Sequence, residues 1–317
     1  MQAEIGTDVG RARQWLEEGK CVGIPTETVY GLAANALDKE AVLSVFRIKN
    51  RPDFDPLILH TFSVEEARKW ITQMPAKAAV LASEFWPGPL TLVLPKSPLI
   101  PFEVTSGLDT VGIRVPDHPL TLALLQQLGF PLAAPSANPF GYVSPTTAAH
   151  VSLQLGGRIP YILDGGPCRV GIESTIVGFE EDEPVILRKG MISQGMIEER
   201  IGLVKIKVHS TSNPRAPGML LSHYAPHTPV ELAGKAGAFD PQRTGYIAFA
   251  IKHPGIPVSH QEVLSSSGDL FEAARSLYAA LRKLDAMDLD RIYIEFVPED
   301  GIGSAVNDRI RRAVCKT

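Results

Sequence analysis

Apolar positions along the chain change spacing repeatedly, and the changes divide it into alternating helical and strand patterns. Ala12, Trp15 and Leu16 share one helical face, with Thr7 placed to cap the helix and Gly19 to end it. Cys21–Ile24 is a short apolar run and reads as a strand. Asp38 precedes a second helical pattern through Val42, Val45 and Phe46, and Leu57–Leu59 reads as the next strand. Ser63 and Glu66 have the spacing of a capping box for a third helix. Further strands are expected at Leu90–Leu94, Val111–Val115 and Tyr161–Leu163. Thr175–Phe179 and Val185–Arg188 flank the acidic stretch Glu180–Glu183, the arrangement of a hairpin.

After Lys207 the pattern stops. His209–Pro229 is rich in Pro, Ser, Thr and Asn and holds no sustained period, which is long for a plain connection. The pattern then restarts. Thr244–Phe249 reads as a strand, and Asp269 can cap a helix on which Leu270, Ala274, Leu277, Leu281 and Leu284 recur at helical spacing. Arg291–Val297 is a strand and a last helix passes through Val306 and Ile310. This order predicts a small parallel α/β domain. The expected organisation is α/β throughout, with a catalytic domain over 1–207, a linker or lid over 208–229 and a small Rossmann-like domain over 230–317.

Composition adds exclusions. A chain of 317 residues favours two domains, and its net charge of −4 argues against a strongly basic nucleic-acid binder. Local basic patches remain compatible with weak RNA binding. The three cysteines, Cys21, Cys168 and Cys315, are far apart and form no C-x-x-C pair, so a reducing compartment is expected. The first twenty residues lack a continuous apolar segment and no run approaches the length of a membrane span. The expected setting is cytoplasmic, without membrane.

Four stretches concentrate chemistry. Pro25–Leu32, P-T-E-T-V-Y-G-L, places hydroxyls and a carboxylate after a strand, either as a ligand loop or as a polar turn bonded to its own backbone. Lys49–His60, K-N-R-P-D-F-D-P-L-I-L-H, puts two cations at a helix end. They can cap the helix or clamp phosphate. Ala134–Asn138, A-P-S-A-N, followed by Ser144-Pro145-Thr146-Thr147, offers small residues that let a ligand approach and side chains that bond it. Asp164–Ile176, D-G-G-P-C-R-V-G-I-E-S-T-I, has glycines suited to an anion-holding turn, but no P-loop or dinucleotide spacing. His223 and His227 flank Pro226 without a third ligand nearby, which argues against zinc.

Taken in order, P-T-E-T-V-Y-G-L, K-x-R-P, P-L-I-x-H, A-P-S-A-N and E-S-T-I resemble the YrdC-like family of threonylcarbamoyl-AMP synthases over residues from about 8 to 205. The stretch Pro217–Pro226, P-G-M-x-x-x-H-Y-A-P, and the α/β tail extend the resemblance to the longer, two-domain form. It implies a twisted open α/β domain with a concave cavity, followed by a small Rossmann-like domain. By motif it implies a threonine pocket of Thr26, His60, Arg114 and Ser174. It implies an ATP site of Lys49, Arg51, Thr110, Ser136, Asn138, Ser144, Arg188 and Tyr224, with Lys49, Arg51, Ser136 and Asn138 nearest the chemistry. Asp55 stands where the family commonly has Asn, so it either acts through Mg²⁺ or turns away from the nucleotide.

The implied reaction joins L-threonine, bicarbonate and ATP into threonylcarbamoyl-AMP and pyrophosphate, with Mg²⁺ on the phosphates and a downstream tRNA threonylcarbamoyl transferase taking the product for t6A at position 37. Positioning and charge neutralisation suffice for such a step, which agrees with the absence of an evident nucleophile. Three other readings compete: an RNA-binding module, a nucleotide-binding regulator without turnover, and a carbamoyl transferase of the hydrogenase-maturation kind, which carries additional domains.

Overall fold

The computed structural model describes residues 2–208, 216–217, 223–234 and 240–315, so 209–215 and 218–222 of the linker or lid expected over 208–229 lie outside the described residues. The larger sheet comprises β1 (Glu4–Gly6), β2 (Val22–Ile24), β3 (Gly31–Asn35), β4 (Ile58–His60), β5 (Leu90–Pro95), β6 (Thr110–Arg114), β7 (Leu132–Ala133), β8 (Tyr161–Leu163), β9 (Thr175–Glu180), β10 (Glu183–Arg188) and β11 (Lys205–Ile206). Their spatial order is β1-β8-β2-β3-β7-β4-β6-β5-β9-β10-β11, with parallel and antiparallel pairs mixed. β2, β4 and β8 are buried along their whole length, as expected of strands covered on both faces.

Local chemistry accounts for the element ends. Asp8, one residue after the expected Thr7, caps the first helix, because its Oδ1 accepts from the N–H groups of Gly10 and Arg11 at 2.8 and 3.1 Å. Asp38 caps the helix Lys39–Lys49, and Asn50 ends it in the left-handed region at φ 50°. The acidic stretch is a hairpin turn: Glu180 pairs with Glu183, and Glu181 and Asp182 both have positive φ.

The smaller sheet is fully parallel, in the order β12 (Val230–Leu232), β15 (Arg291–Ile294), β13 (Thr244–Ala248), β14 (Gln261–Val263). Asp269 caps the helix Leu270–Asp285, which buries Ala274, Leu277, Leu281 and Leu284. Each fully buried leucine is worth about 1.5–3 kcal/mol. The apolar core of this domain does not stop at its own elements. Val29, Val143 and Ile172 from the larger domain and Tyr224 from the connecting segment belong to the same cluster. Gly171, at φ +81°, lets the two domains close, since a Cβ there would sit 2.4 Å from the Arg275 Cα. Among the described residues no helix is long and apolar enough to cross a membrane.

Candidate active site

The site begins with two neighbouring parallel strands. β4 and β6 run in register with His60 opposite Arg114, so both side chains leave the sheet at the same strand ends. β7 pairs with β4 from the other side, and Ala134 N–H donates to the Ile58 carbonyl at 3.0 Å. The chain then runs through Pro135 and Ser136 against Gly31. A cavity opens there, lined by Thr26, His60, Arg114, Ser136, Ser174 and Arg188, with Arg51, Glu173, His223 and Tyr224 also in its walls. Four stretches far apart in sequence thus share one cavity.

Arg51, Arg114 and Arg188 face this cavity, with Glu173 the one lining carboxylate among the described residues. Arg51 is held from behind: Nε donates to the Asp55 carbonyl at 3.0 Å, and Nη2 donates to the Pro56 carbonyl at 2.9 Å and pairs with Asp55 Oδ2 at 2.9 Å. Nη1 makes no hydrogen bond among the described residues, so one arm of the fork remains for a ligand. Asp55 therefore turns away from the cavity to accompany Arg51, one of the two roles expected for it. The Asp55–Arg51 contact is charge pairing without hydrogen-bond alignment. Burial outweighs this pairing and pushes the Asp55 carboxyl up.

Arg114 is anchored similarly. Nε donates to the Gly88 carbonyl at 3.2 Å, Nη1 to Thr28 Oγ1 at 3.0 Å, and Nη2 lies 2.6 Å from Glu27. Arg188 clasps Ser174, with Nε on its carbonyl and Nη2 on its hydroxyl, both at 3.0 Å. Ser174 Oγ also meets Thr91 Oγ1 at 2.8 Å. Thr26 realises the polar-turn reading while lining the cavity: its hydroxyl donates to the Val29 carbonyl at 2.6 Å and accepts from the Thr28 and Val29 N–H groups. His60 is a neutral ring. Burial, reinforced by the Arg114 charge, lowers it to about 3 against the pull of the Ile58 and Leu132 carbonyls, and Nδ1 lies 3.2 Å from the Ile58 carbonyl.

Other expected residues stand behind the lining. Lys49 is buried, and its ammonium donates to the carbonyls of Ser136 and Asn138, tying the A-P-S-A-N loop to the helix end. Burial, then Arg51, pulls the Lys49 ammonium well below its ordinary range. Asn138 Nδ2 donates to the carbonyls of Pro139 and Tyr142, both at 2.8 Å, and fixes the same loop. Ser144 donates to Glu173 at 2.6 Å. Thr110 lies at the far end of β6 from Arg114, paired with Pro95, and does not line this cavity. The glycines of Asp164–Gly171 do not line it either. Tyr30 OH bonds that turn instead, at Asp164 and Gly166.

Sequence reasoning missed Glu173 and His223 in the wall. Glu173 had a signal, being adjacent to Ser174 within the glycine-rich stretch. His223 packs edge-on to Phe140, and His227 packs on Tyr142. Among the described residues no cluster of three or more His, Cys, Asp or Glu is arranged to hold a metal.

Comparison with known proteins places this geometry. Residues 14–190 match the family model described as Telomere recombination, and residues 192–315 match the one described as Threonylcarbamoyl-AMP synthase, C-terminal domain. A threonylcarbamoyl-AMP synthase of Pyrococcus abyssi is 42% identical over 316 residues, covering 95% of this chain and 92% of that protein. One of Bacillus subtilis is 40% identical, covering 96% and 92%. The crystal structure of P. abyssi Sua5 complexed with L-threonine superposes with a TM-score of 0.89 at 40% identity, covering 96% of this chain and 94% of that one. The matches run through the cavity-bearing sheet and the small parallel domain alike, and the chain therefore belongs to the threonylcarbamoyl-AMP synthase family of nucleotidyltransferase-type enzymes, in its two-domain form.

Proposed function

We propose that the cavity converts L-threonine, bicarbonate and ATP into threonylcarbamoyl-AMP, pyrophosphate and water, supplying t6A synthesis on tRNA. The observation that carries this reading is the convergence of Arg51, Arg114 and Arg188 with a neutral His60 and two serine hydroxyls on one cavity. Arg114 suits the threonine carboxylate, at about 1.5–3 kcal/mol for a charge-assisted bond. The threonine ammonium gives a proton to bicarbonate, which breaks down to CO₂ and water, and the free amine attacks that CO₂ with loss of a further proton. The resulting carbamate oxygen attacks the α-phosphorus, and the bond to pyrophosphate breaks. Arg51, Arg188 and the Ser136 hydroxyl would hold the phosphates as charge moves to the leaving group, while Lys49 and Asn138 keep the Ser136 loop in place. No covalent bond to the protein is needed.

Mg²⁺ would arrive with the nucleotide as MgATP. The three carboxylates near the cavity already face arginines, Glu27 with Arg114, Asp55 with Arg51 and Glu173 with Arg309, so the phosphate oxygens are the better donors. We assign catalysis to 1–207, closure over the nucleotide to 208–229 through Tyr224, and support of that closure to 230–317. A downstream tRNA transferase and a cytoplasmic setting complete the reading; Cys21, Cys168 and Cys315 are free thiols.

Mass detection of threonylcarbamoyl-adenylate after mixing the protein with ATP, Mg²⁺, threonine and bicarbonate tests the proposal directly. Pyrophosphate release that ignores threonine, or no adenylate product, would refute it. Amino-acid choice is a finer test. A pocket in which a buried neutral histidine pairs the substrate hydroxyl should prefer threonine, then serine, then valine. Serine forgoes a methyl worth about 0.8 kcal/mol, whereas valine leaves a buried polar group unpaired. Competition assays in which valine matches serine would rule out hydroxyl reading.

A further inference from the structure

The wall residue Glu173 is held mainly by the other domain. Arg309, on the helix Gly303–Val314, donates from Nε to Glu173 Oε2 at 2.8 Å. Tyr278, on the helix Leu270–Asp285, donates to the same carboxylate at 2.9 Å. From the catalytic side Ser144 donates to Oε1 at 2.6 Å. One carboxylate thus joins two helices of the small domain to a residue placed in the ATP site. Arg309 does more than pair with it. Its Nη2 donates to the Lys189 carbonyl at 2.9 Å, next to Arg188, and its guanidinium stacks 5.1 Å from the Tyr224 ring centroid. Tyr224 in turn stacks on Tyr278 at 5.8 Å.

We propose that Arg309 and Tyr278 are positioning residues for ATP: through Glu173, Ser144 and Tyr224 they make the nucleotide half of the cavity depend on the docked small domain. The alternative, a simple interdomain rivet, fits the facts less well. A rivet has no reason to end on a carboxylate that lines the ligand cavity, nor to carry an aromatic of the same cavity on its guanidinium. The carboxylate is also kept charged. Burial alone would raise it, but Arg309, then Arg188 and the Ser144 hydroxyl bring it down to about 2. A charged Glu173 needs its cation, and the principal cation comes from the second domain. Of the residues assigned to threonine, His60 and Arg114 stand on β4 and β6, and among the described residues their printed hydrogen bonds and ion pairs go to the larger domain.

This inference rests on the synthase reading, and its test separates the two. Full-length wild type and Arg309→Gln are assayed for pyrophosphate release while ATP and threonine are varied in turn, with thermal midpoints recorded. Arg309→Gln is expected to raise the KM for ATP about tenfold or more and to leave the KM for threonine within about twofold. Glu173→Gln should do the same, and the double variant should be no worse than the more impaired single one by more than about twofold, because one pathway has already been cut. Tyr278→Phe removes a single O–H and should raise the KM for ATP about threefold; it also serves if Arg309→Gln does not fold. Equal rises in both KM values, no rise in either, or additive effects in the double variant would overturn the positioning role while leaving the synthase reading intact. Wild type that makes no adenylate would overturn both.

Discussion

Arg51→Ala is expected to lower pyrophosphate release about tenfold or more, equivalent to about 1.4 kcal/mol of transition-state stabilisation, and to destabilise the folded protein as well. The two losses have different origins. Catalysis suffers because the arm of Arg51 left open to the cavity is removed from where negative charge grows on the leaving pyrophosphate. Stability suffers because Asp55, only 1% exposed, loses the cation 2.9 Å away. Breaking a buried pair from one side typically costs about 3–5 kcal/mol. A second substitution tells them apart. Asp55→Asn removes the stranded charge and supplies an N–H donor. The double variant Arg51→Ala/Asp55→Asn should therefore regain most of the thermal stability and none of the turnover. Denaturant titration alongside the pyrophosphate assay checks both halves. Recovery of activity with stability would mean that Arg51 acts only by keeping the turn folded, and wild-type turnover in the single variant would remove it from the mechanism.

Much of this site was legible because its residues cluster in short stretches at strand ends. Strands β6, β8, β9 and β10 have strong apolar or β-branched runs, and the caps at Asp38 and Asp269 read directly. β3 was missed because Gly31-Leu-Ala-Ala-Asn35 has little intrinsic preference for extended structure. It is a strand because β2 and β7 pair with it on both sides. Spacing also could not say which motif residues line the cavity and which stand behind it. Lys49 and Arg51 are two residues apart, yet one is buried against loop carbonyls and the other faces the cavity. That split comes from Asn50, whose left-handed backbone turns the chain between them. Arg309 did leave a trace. It follows Val306 by three residues and precedes Ala313 by four, which puts a charge inside the apolar stripe of an amphipathic helix. A cation there needs a buried anion, but its identity, Glu173, is set by the docking of two domains and by nothing local.

Acidification from pH 7 to pH 4 is expected to unfold the protein, and buried histidines supply most of the effect. His60 and His223 are each lowered to about 3, chiefly by burial; Arg114 adds to it at His60, and at His223 Glu173 pulls the other way while Arg51, Lys49 and Arg312 side with burial. In the unfolded chain a histidine takes up its proton near pH 6.5. The unfolded state therefore binds more protons than the native state from about pH 6.5 down to about 3, and stability falls throughout that window. At pH 4 each histidine has removed about 3 kcal/mol, at about 1.4 kcal/mol per pH unit below 6.5. The pair together approaches a typical net stability of about 5–15 kcal/mol. Glu173, held down to about 2, adds to the loss below its ordinary pKa, as the unfolded carboxyl is protonated first. The two histidines should not act alike. His60 sits on β4 between β6 and β7, so its protonation requires the larger sheet to open. His223 lies on the connecting segment, packed on Phe140 and Tyr224, and local release of that contact is enough to hydrate it. Loss of Tyr224 packing, followed by its fluorescence, should therefore begin at higher pH than loss of secondary structure followed by circular dichroism. His223→Phe keeps the ring packing and removes the titration, and should bring the two transitions together at lower pH. A wild-type protein that stays folded to pH 3, or transitions unmoved in His223→Phe, would show that these rings do not govern acid stability.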